Sequence, residues 1–292
     1  MICPARLFFW ASPAHIACIM KLAYFGDVVG KPGRAAVMDH LPGLRRDLKL
    51  DFVVVNGENA AGGFGLTESI ANDFFNAGAD CLTLGDHAWD QREALTFIER
   101  EPRLLRPANY PKAAGAPGKG AHVFVLSDGH RVGVVQLQGN VFMKQQLENA
   151  FQHADRVLDE MPLGMAVDAL IVDMHCEATS EKMAMGHHCD GRASLVVGSH
   201  THVPTADAQI LPGGTAYQSD IGMCGDYNSV IGMKKEEAVN RFTKKLPKDR
   251  LEPAEEPATL CAVFVETDDA NGLARRIEPL RVGPRLHQTL PG

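Results

Sequence analysis

The chain has 292 residues, 45% of them hydrophobic and 22% charged, with a formal net charge of −7. A chain of this length can bury roughly three quarters of its unfolded surface around one core, and the composition excludes a disordered or membrane-embedded protein. The acidic balance argues against a surface that coats nucleic acid, which normally carries a basic stripe, but not against a small phosphate compound held through metal.

Seven cysteines (Cys3, Cys18, Cys81, Cys176, Cys189, Cys224 and Cys261) are odd in number and without CxxC spacing. This points away from a disulfide framework or structural zinc and towards a reducing cytoplasm. Residues 1–19 contain the apolar stretch LFFWASPAHIACI, but Pro13 and His15 interrupt it, no A-x-A cleavage site follows, and it is too short to span a bilayer. A strand starts directly after Met20. The expectation is therefore translation from Met20, residues 1–19 as a dispensable extension, and a single domain over residues 20–292; a secretory signal is the alternative.

LAYFG reads as the first strand, and residues 34–48 as a helix with Pro32 near its start and a disturbance at Pro42. FVVVN is the next strand, followed by the glycine-rich loop GENAAGGFGL, in which Gly62, Gly63 and Gly65 permit tight turns. Thr67 suits the N-cap of a helix running to Gly78; CLTLG is a third strand, and residues 89–100 have helical periodicity. This βαβα rhythm predicts a mostly parallel sheet with helices packed on it.

HVFVLSDGHRVGVVQLQG gives two strands around an Asp-Gly turn, a strong hairpin signal. Residues 145–161 follow as an amphipathic helix, with Ala150, Ala154, Val157 and Leu158 on the apolar face. ALIVDMH and SLVVGSH are two more buried strands, AQILPGGTAYQSD a further hairpin, and TLCAVFVET with ARRIEPLRV a closing pair. Residues 234–245 read as a helix and residues 246–257 as a surface loop rich in proline and charge. Two facing sheets with helices outside accommodate this many strands.

Five of these apolar runs stop abruptly at a polar residue: at Asp27, at Glu58 and Asn59, at Asp86 and His87, at His175, and at His200 with His202 in GSHTH. Open α/β sheets hold ligands beyond the carboxyl ends of their strands. Asp27, Glu58, Asn59, Asp86, His175, His200 and His202 form a mixed oxygen and nitrogen donor set without thiolate, suited to Zn, Fe, Mn or Co rather than Mg or Ca. Seven donors are too many for one tetrahedral ion and about right for two ions sharing a carboxylate, roughly 3.5–4 Å apart as in two-metal phosphate chemistry. His87, beside Asp86 but not needed as a ligand, is available as a general acid. Taken singly, Asp27, Glu58 and Asn59 suit turns or caps, His175 a satisfied core histidine, and His87 a cap for a helix near Trp89.

FGDVVGKPGR, VNGENAAGGFGLT, TLGDHAWD, RPANYP, DMHCEATSEK, DGRASLVVGSHTHVPTAD and SDIGMCG together resemble the YmdB-like branch of the calcineurin-like metallophosphoesterases. The resemblance runs in order from Met20 to near residue 282. It implies a four-layer α/β/β/α sandwich, a dinuclear Fe or Mn site with zinc also suited, and phosphodiesterase activity that includes 2′,3′-cyclic nucleotides by attack of a water activated between the metals. Carried onto this chain, it implies Asp27, Asn59 and His202 at one metal, Asp86, His175 and His200 at the other, Glu58 bridging, and His87 as catalytic acid. The chain departs from the pattern at Asp86, where GDH replaces the family's usual GNH. The added carboxylate makes the site less electropositive, so its water is polarised less strongly.

Two other functions fit the same residues: a nucleotide phosphomonoesterase, and a regulatory protein that binds a nucleotide or RNA end with negligible turnover. The intact donor set with His87 favours catalysis. Asp173, two residues before His175, either orients a ligand or caps a turn. His187 and His188 read as exposed loop residues, and Cys176 as packing. Gly26 to Lys31 is not a phosphate loop, because Pro32 follows Lys31 where serine or threonine is needed.

Overall fold

The computed structural model describes residues 19–245 and 249–292. The first half runs β1 (Ile19–Phe25), β2 (Asp27–Val28), α1 (Gly30–Leu48), β3 (Phe52–Asn56), α2 (Glu68–Ala77), β4 (Cys81–Thr83), α3 (Ala94–Arg100) and β5 (Leu104–Leu105). The second runs β6 (Ala121–Val125), β7 (Arg131–Gln138), α4 (Ala150–Glu160), β8 (Ala169–His175), α5 (Thr179–His188), β9 (Leu195–Ser199), β10 (Gln209–Ile210) and β11 (Ala216–Gln218). β12 (Met223–Cys224), α6 (Lys235–Lys244), β13 (Leu260–Asp268) and β14 (Ala274–Val282) close the chain.

These strands form two six-stranded sheets, ordered β14-β13-β1-β3-β4-β5 and β10-β11-β9-β8-β7-β6. In the first, β1, β3, β4 and β5 are parallel and β13 joins the edge of β1 antiparallel. In the second, β7, β8, β9 and β11 are parallel. Strand alternation sorts the core. Along β1, Ala23 and Phe25 pack with Val37, Leu41 and Phe74 under α1 and α2, whereas Leu22 and Tyr24 pack with Val134, Ile171 and Val197 of the other sheet. On the far side, Val172 and Met174 of β8 meet Ala154, Val157 and Met185 of α4 and α5. The result is the four-layer α/β/β/α sandwich.

Local chemistry explains most element limits. Thr67 accepts from the Ile70 N–H at 3.3 Å and Gly78 closes α2 in a left-handed conformation, as the sequence predicts. Helix α1 runs unbroken through Pro42: the carbonyl that Pro42 leaves unpaired belongs to Met38, which is exposed, so water can satisfy it. The expected helix over residues 89–100 begins only at Ala94, because the preceding residues form turns in which Ala88 N–H bonds Gly85 and Asp90 N–H bonds His87. Likewise α4 starts at Ala150, where the Asn149 side chain caps the N–H groups of Phe151 and Gln152. Helix α5 is not anticipated by its sequence; His187 and His188, expected in a loop, form its last turn, and His188 bonds Asp155 at 2.9 Å.

The first sheet begins at Ile19, which pairs with Asp268, two residues before the start expected directly after Met20. The remainder of the proposed extension, residues 1–18, lies outside the described residues. Among the described residues no helix is long and apolar enough to cross a membrane. Thr67→Ala is expected to lower stability by about 1 kcal/mol through loss of the α2 cap. Urea unfolding checks this: the midpoint falls while the denaturant slope is unchanged.

Candidate metal centre

The parallel strands of both sheets deliver their carboxyl ends to one place. Asp27 follows β1, Glu58 and Asn59 follow β3, and Asp86 follows β4; His175 ends β8, and His200 and His202 follow β9. The first sheet therefore supplies carboxylates and an amide, and the second supplies imidazoles.

Glu58, Asp86, His175 and His200 each offer a ligand atom within 4.8 Å of the others, a grouping that could hold a metal ion. The Asp86 Oδ1 lies 3.1 Å from His175 Nε2 and 3.3 Å from His200 Nδ1, and Glu58 Oε2 lies 3.2 Å from His175 Nε2. Beside this group, His202 Nε2 is 3.1 Å from the Asn59 amide nitrogen and 4.0 Å from Asp27 Oδ1. The Asn59 amide also reaches Glu58 Oε1 at 3.2 Å, and the His200 N–H donates to Asp27 Oδ2 at 3.2 Å. All seven residues thus form one continuous cluster.

The cluster has the marks of a cation site. Asp27, Glu58, Asn59 and His175 are buried, and Asp27 Oδ1 and Glu58 Oε2 have no hydrogen-bond partner. Glu58 Oε2 is near enough to His175 for charge attraction, but outside hydrogen-bonding geometry. A buried carboxylate oxygen left unpaired is costly unless a cation reaches it. Gly85 makes room for the group: a Cβ there would lie 1.8 Å from Glu58 Oε2 and 2.3 Å from His175 Nε2. Gly62, Gly63 and Gly65 adopt φ of +63°, +91° and +75°, which lets the loop after β3 fold back on itself.

Charges within the cluster are strongly coupled. Burial pushes the Asp27 carboxyl up to about 6, with His202 and His175 pulling the other way. Burial also acts upwards on Asp86, but hydrogen bonds from His175 and His200 outweigh it and hold the carboxyl well below the usual range. Burial alone would make His175 less basic; Glu58 and Asp86 beside it push it well above the ordinary imidazole range.

Asp173 orients a histidine rather than capping a turn. Its Oδ1 accepts from Ser199 Oγ at 2.7 Å, and Ser199 Oγ lies 2.8 Å from His175 Nδ1. Ser199 thereby satisfies Nδ1 and leaves Nε2 facing the carboxylates, the outer partner a metal-binding histidine requires. His202 Nδ1 donates to the Ile231 carbonyl at 2.8 Å, which frees its Nε2 in the same way.

His87 stands at the mouth and does not cap a helix. Its Nδ1 is 2.8 Å from Asp90 Oδ2, its ring meets Phe64 edge-on at 5.0 Å, and its Nε2 lies 3.8 Å from Asp86 Oδ2. Asp90 does not stand out in the sequence; the DHAWD spacing, with an acid three residues after a histidine, is the signal that points to it. Glu177 has no such signal. Its Oε2 lies 3.3 Å from His200 Nε2, holding the outer nitrogen of a ring whose Nδ1 faces Asp86. A cavity of about 240 Å³ opens over the cluster, with Glu58, His87 and His200 on its polar side and Phe64, Ile231, Met233 and Leu251 on its apolar side.

The layered sandwich and its donor cluster place the molecule among the metallophosphoesterase-type folds. Within that class the chain belongs to the YmdB-like protein family, whose model matches residues 23–280. It is 44% identical over 263 residues, 90% of this chain and 97% of the other, to a Bacillus subtilis protein named 2′,3′-cyclic-nucleotide 2′-phosphodiesterase. Among solved structures it is similar to a hypothetical protein from Thermus thermophilus, with a TM-score of 0.83 and 40% identity covering 91% of this chain and all (100%) of that one. It is also similar to a structure described as a novel phosphatase of Mycoplasma pneumoniae, with a TM-score of 0.85 and 32% identity covering 92% and 95% of the two chains.

Metal binding is expected to release protons, because His175 holds one strongly and must lose it to ligate. Calorimetric titration with Mn²⁺ in two buffers of different ionisation enthalpy checks this. The heats should differ between buffers and the affinity should rise with pH; equal heats would show that His175 is already neutral.

Proposed function

We propose that the chain is a phosphodiesterase working with two metal ions, Fe or Mn, and that its substrates include 2′,3′-cyclic nucleotides. The observation that supports this most is the convergence of seven oxygen and nitrogen donors from two sheets beneath a histidine held at the cavity mouth. Asp27, Asn59 and His202 would hold one ion, and Asp86, His175 and His200 the other, with Glu58 shared between them. Asn59 would ligate through its oxygen, so the amide turns over from the orientation that places its nitrogen on His202. When bound, such ions supply charge stabilisation for a phosphoryl group and an activated water.

The protein's own groups do the rest. Asp90 accepts the Nδ1–H of His87 and leaves Nε2 to deliver a proton to the departing ribose oxygen. Phe64 fixes the imidazole plane from the side. The apolar wall of Phe64, Ile231, Met233 and Leu251 suits the face of a sugar or base, while the donor cluster takes the phosphate. The five cysteines of the described residues are buried and free, which supports a cytoplasmic location.

Metal analysis coupled to hydrolysis of bis-p-nitrophenyl phosphate, p-nitrophenyl phosphate and 2′,3′-cyclic AMP tests the proposal. Two ions per chain with turnover of the diesters is the expected result, and preference for the monoester or no turnover at all would overturn it. His87→Ala should keep both ions and lose roughly 10²- to 10⁴-fold in turnover of the cyclic nucleotide. The loss should be smaller for a p-nitrophenyl ester, whose leaving oxygen hardly needs a proton; equal losses would remove the acid role from His87.

Asp86→Asn tests the position where this chain departs from the family's usual GNH. With one negative charge fewer beside His175 and His200, the second ion should bind less tightly at unchanged stoichiometry. Metal titration of the two proteins decides: identical affinities would mean that Asp86 does not ligate.

A further inference from the structure

We infer that Lys182 and Asp220 form a positioning pair that sets the His200-Thr201-His202 turn into the geometry in which both imidazoles face the donor cluster. This rests on the two-metal reading but concerns residues outside the ligand set. Lys182 lies on α5 and Asp220 on the segment after β11, and their side chains are only 2% and 1% exposed, with Lys182 Nζ 2.6 Å from Asp220 Oδ2. A buried ion pair is a weak source of stability, since desolvation offsets most of the attraction. Its use here lies in what the carboxylate holds.

Asp220 Oδ2 accepts from both the backbone N–H and the hydroxyl of Thr201, at 3.1 and 2.7 Å, while its Oδ1 accepts from the Gly222 N–H at 2.8 Å. Thr201 is the residue between the two histidines. His200 and His202 both have positive φ, +95° and +65°, a conformation that side-chain-bearing residues rarely adopt. Two such residues flanking one threonine persist only where neighbouring groups over-determine the turn. Asp220 does this through Thr201, and Asp27 does it through the His200 backbone N–H.

Lys182 neutralises the carboxylate that makes these bonds and anchors it to α5, the helix that follows His175 at the end of β8. The pair thus ties the position of His200 and His202 to that of His175. Neither side chain lines the cavity, so both act through Thr201 and not on substrate.

The test compares wild type, Lys182→Met with Asp220→Asn as a double variant without an unpaired buried charge, and Thr201→Val. Each is checked for folding by near-ultraviolet circular dichroism, titrated with Co²⁺ against a competing chelator, and examined by the visible spectrum of the bound cobalt. The double variant should bind Co²⁺ about 10- to 100-fold more weakly, the usual effect of disturbing groups behind metal ligands, with an altered spectrum. Thr201→Val should shift both readings in the same direction by less, and it carries the test alone if the double variant does not fold. Folded variants with wild-type affinity and spectrum would overturn the inference while leaving the two-metal reading intact. Absence of Co²⁺ binding in the wild type would overturn that reading itself, and this inference with it.

Discussion

One buried carboxylate, Asp173, sits where the two sheets meet and fixes their alignment under the site. Its Oδ2 accepts from the Tyr24 hydroxyl of β1 at 2.5 Å and from Gln136 of β7 at 3.1 Å, and its Oδ1 from Ser199 of β9. Gln136 in turn accepts from the Leu84 N–H at 3.1 Å, just past the end of β4. Burial pushes the Asp173 carboxyl up, with His175 nearby and these donors pulling the other way. Such a group is tolerated in a dry core only when fully hydrogen-bonded. The requirement acts as a gauge: a slip between the sheets would break the Tyr24 bond to Asp173 and the Leu84 bond to Gln136 together.

That gauge matters because neither sheet carries the donor cluster alone. Hard oxygen donors come from the first sheet and imidazoles from the second, so the mixed set exists only at the seam. A cation binding there interacts with the docked arrangement and not with the unfolded chain, and so favours docking by mass action. The orphaned oxygens of Asp27 and Glu58 are the counterpart of this arrangement. They leave the folded protein with buried carboxylate oxygens lacking a hydrogen-bond donor where two strand ends face two histidines.

His87 sits apart from this seam. His87 lies on a turn whose side chains hold neighbouring loops: Asp90 takes the His87 ring, and Gln91 donates to the Phe64 carbonyl at 2.8 Å. These local contacts replace the helical bonds that the sequence periodicity would otherwise favour. On this turn His87 lines the same cavity as Glu177 and His200.

The four-layer architecture was legible in the sequence because its causes are local or periodic. Continuous apolar runs along LAYFG and ALIVDMH, buried on both faces, the Asp-Gly turn and the Thr67 cap each determine an element within a few residues. The donor residues were legible for a related reason: a polar residue ending an apolar strand has little role in a core. What sequence could not supply were interactions whose partners are far apart along the chain. Helix α5 has weak amphipathicity and owes its place to packing of Met185 and to Lys182 reaching Asp220, 38 residues away. Asp90 and Glu177 look like ordinary surface acids until the fold sets them against His87 and His200. Local propensity therefore determined the strands, their turns and the donors at their ends. The docking of two sheets decided which donors meet, which carboxylates stay unpaired and which buried charges hold them, because those energies exist only once distant segments exclude water together.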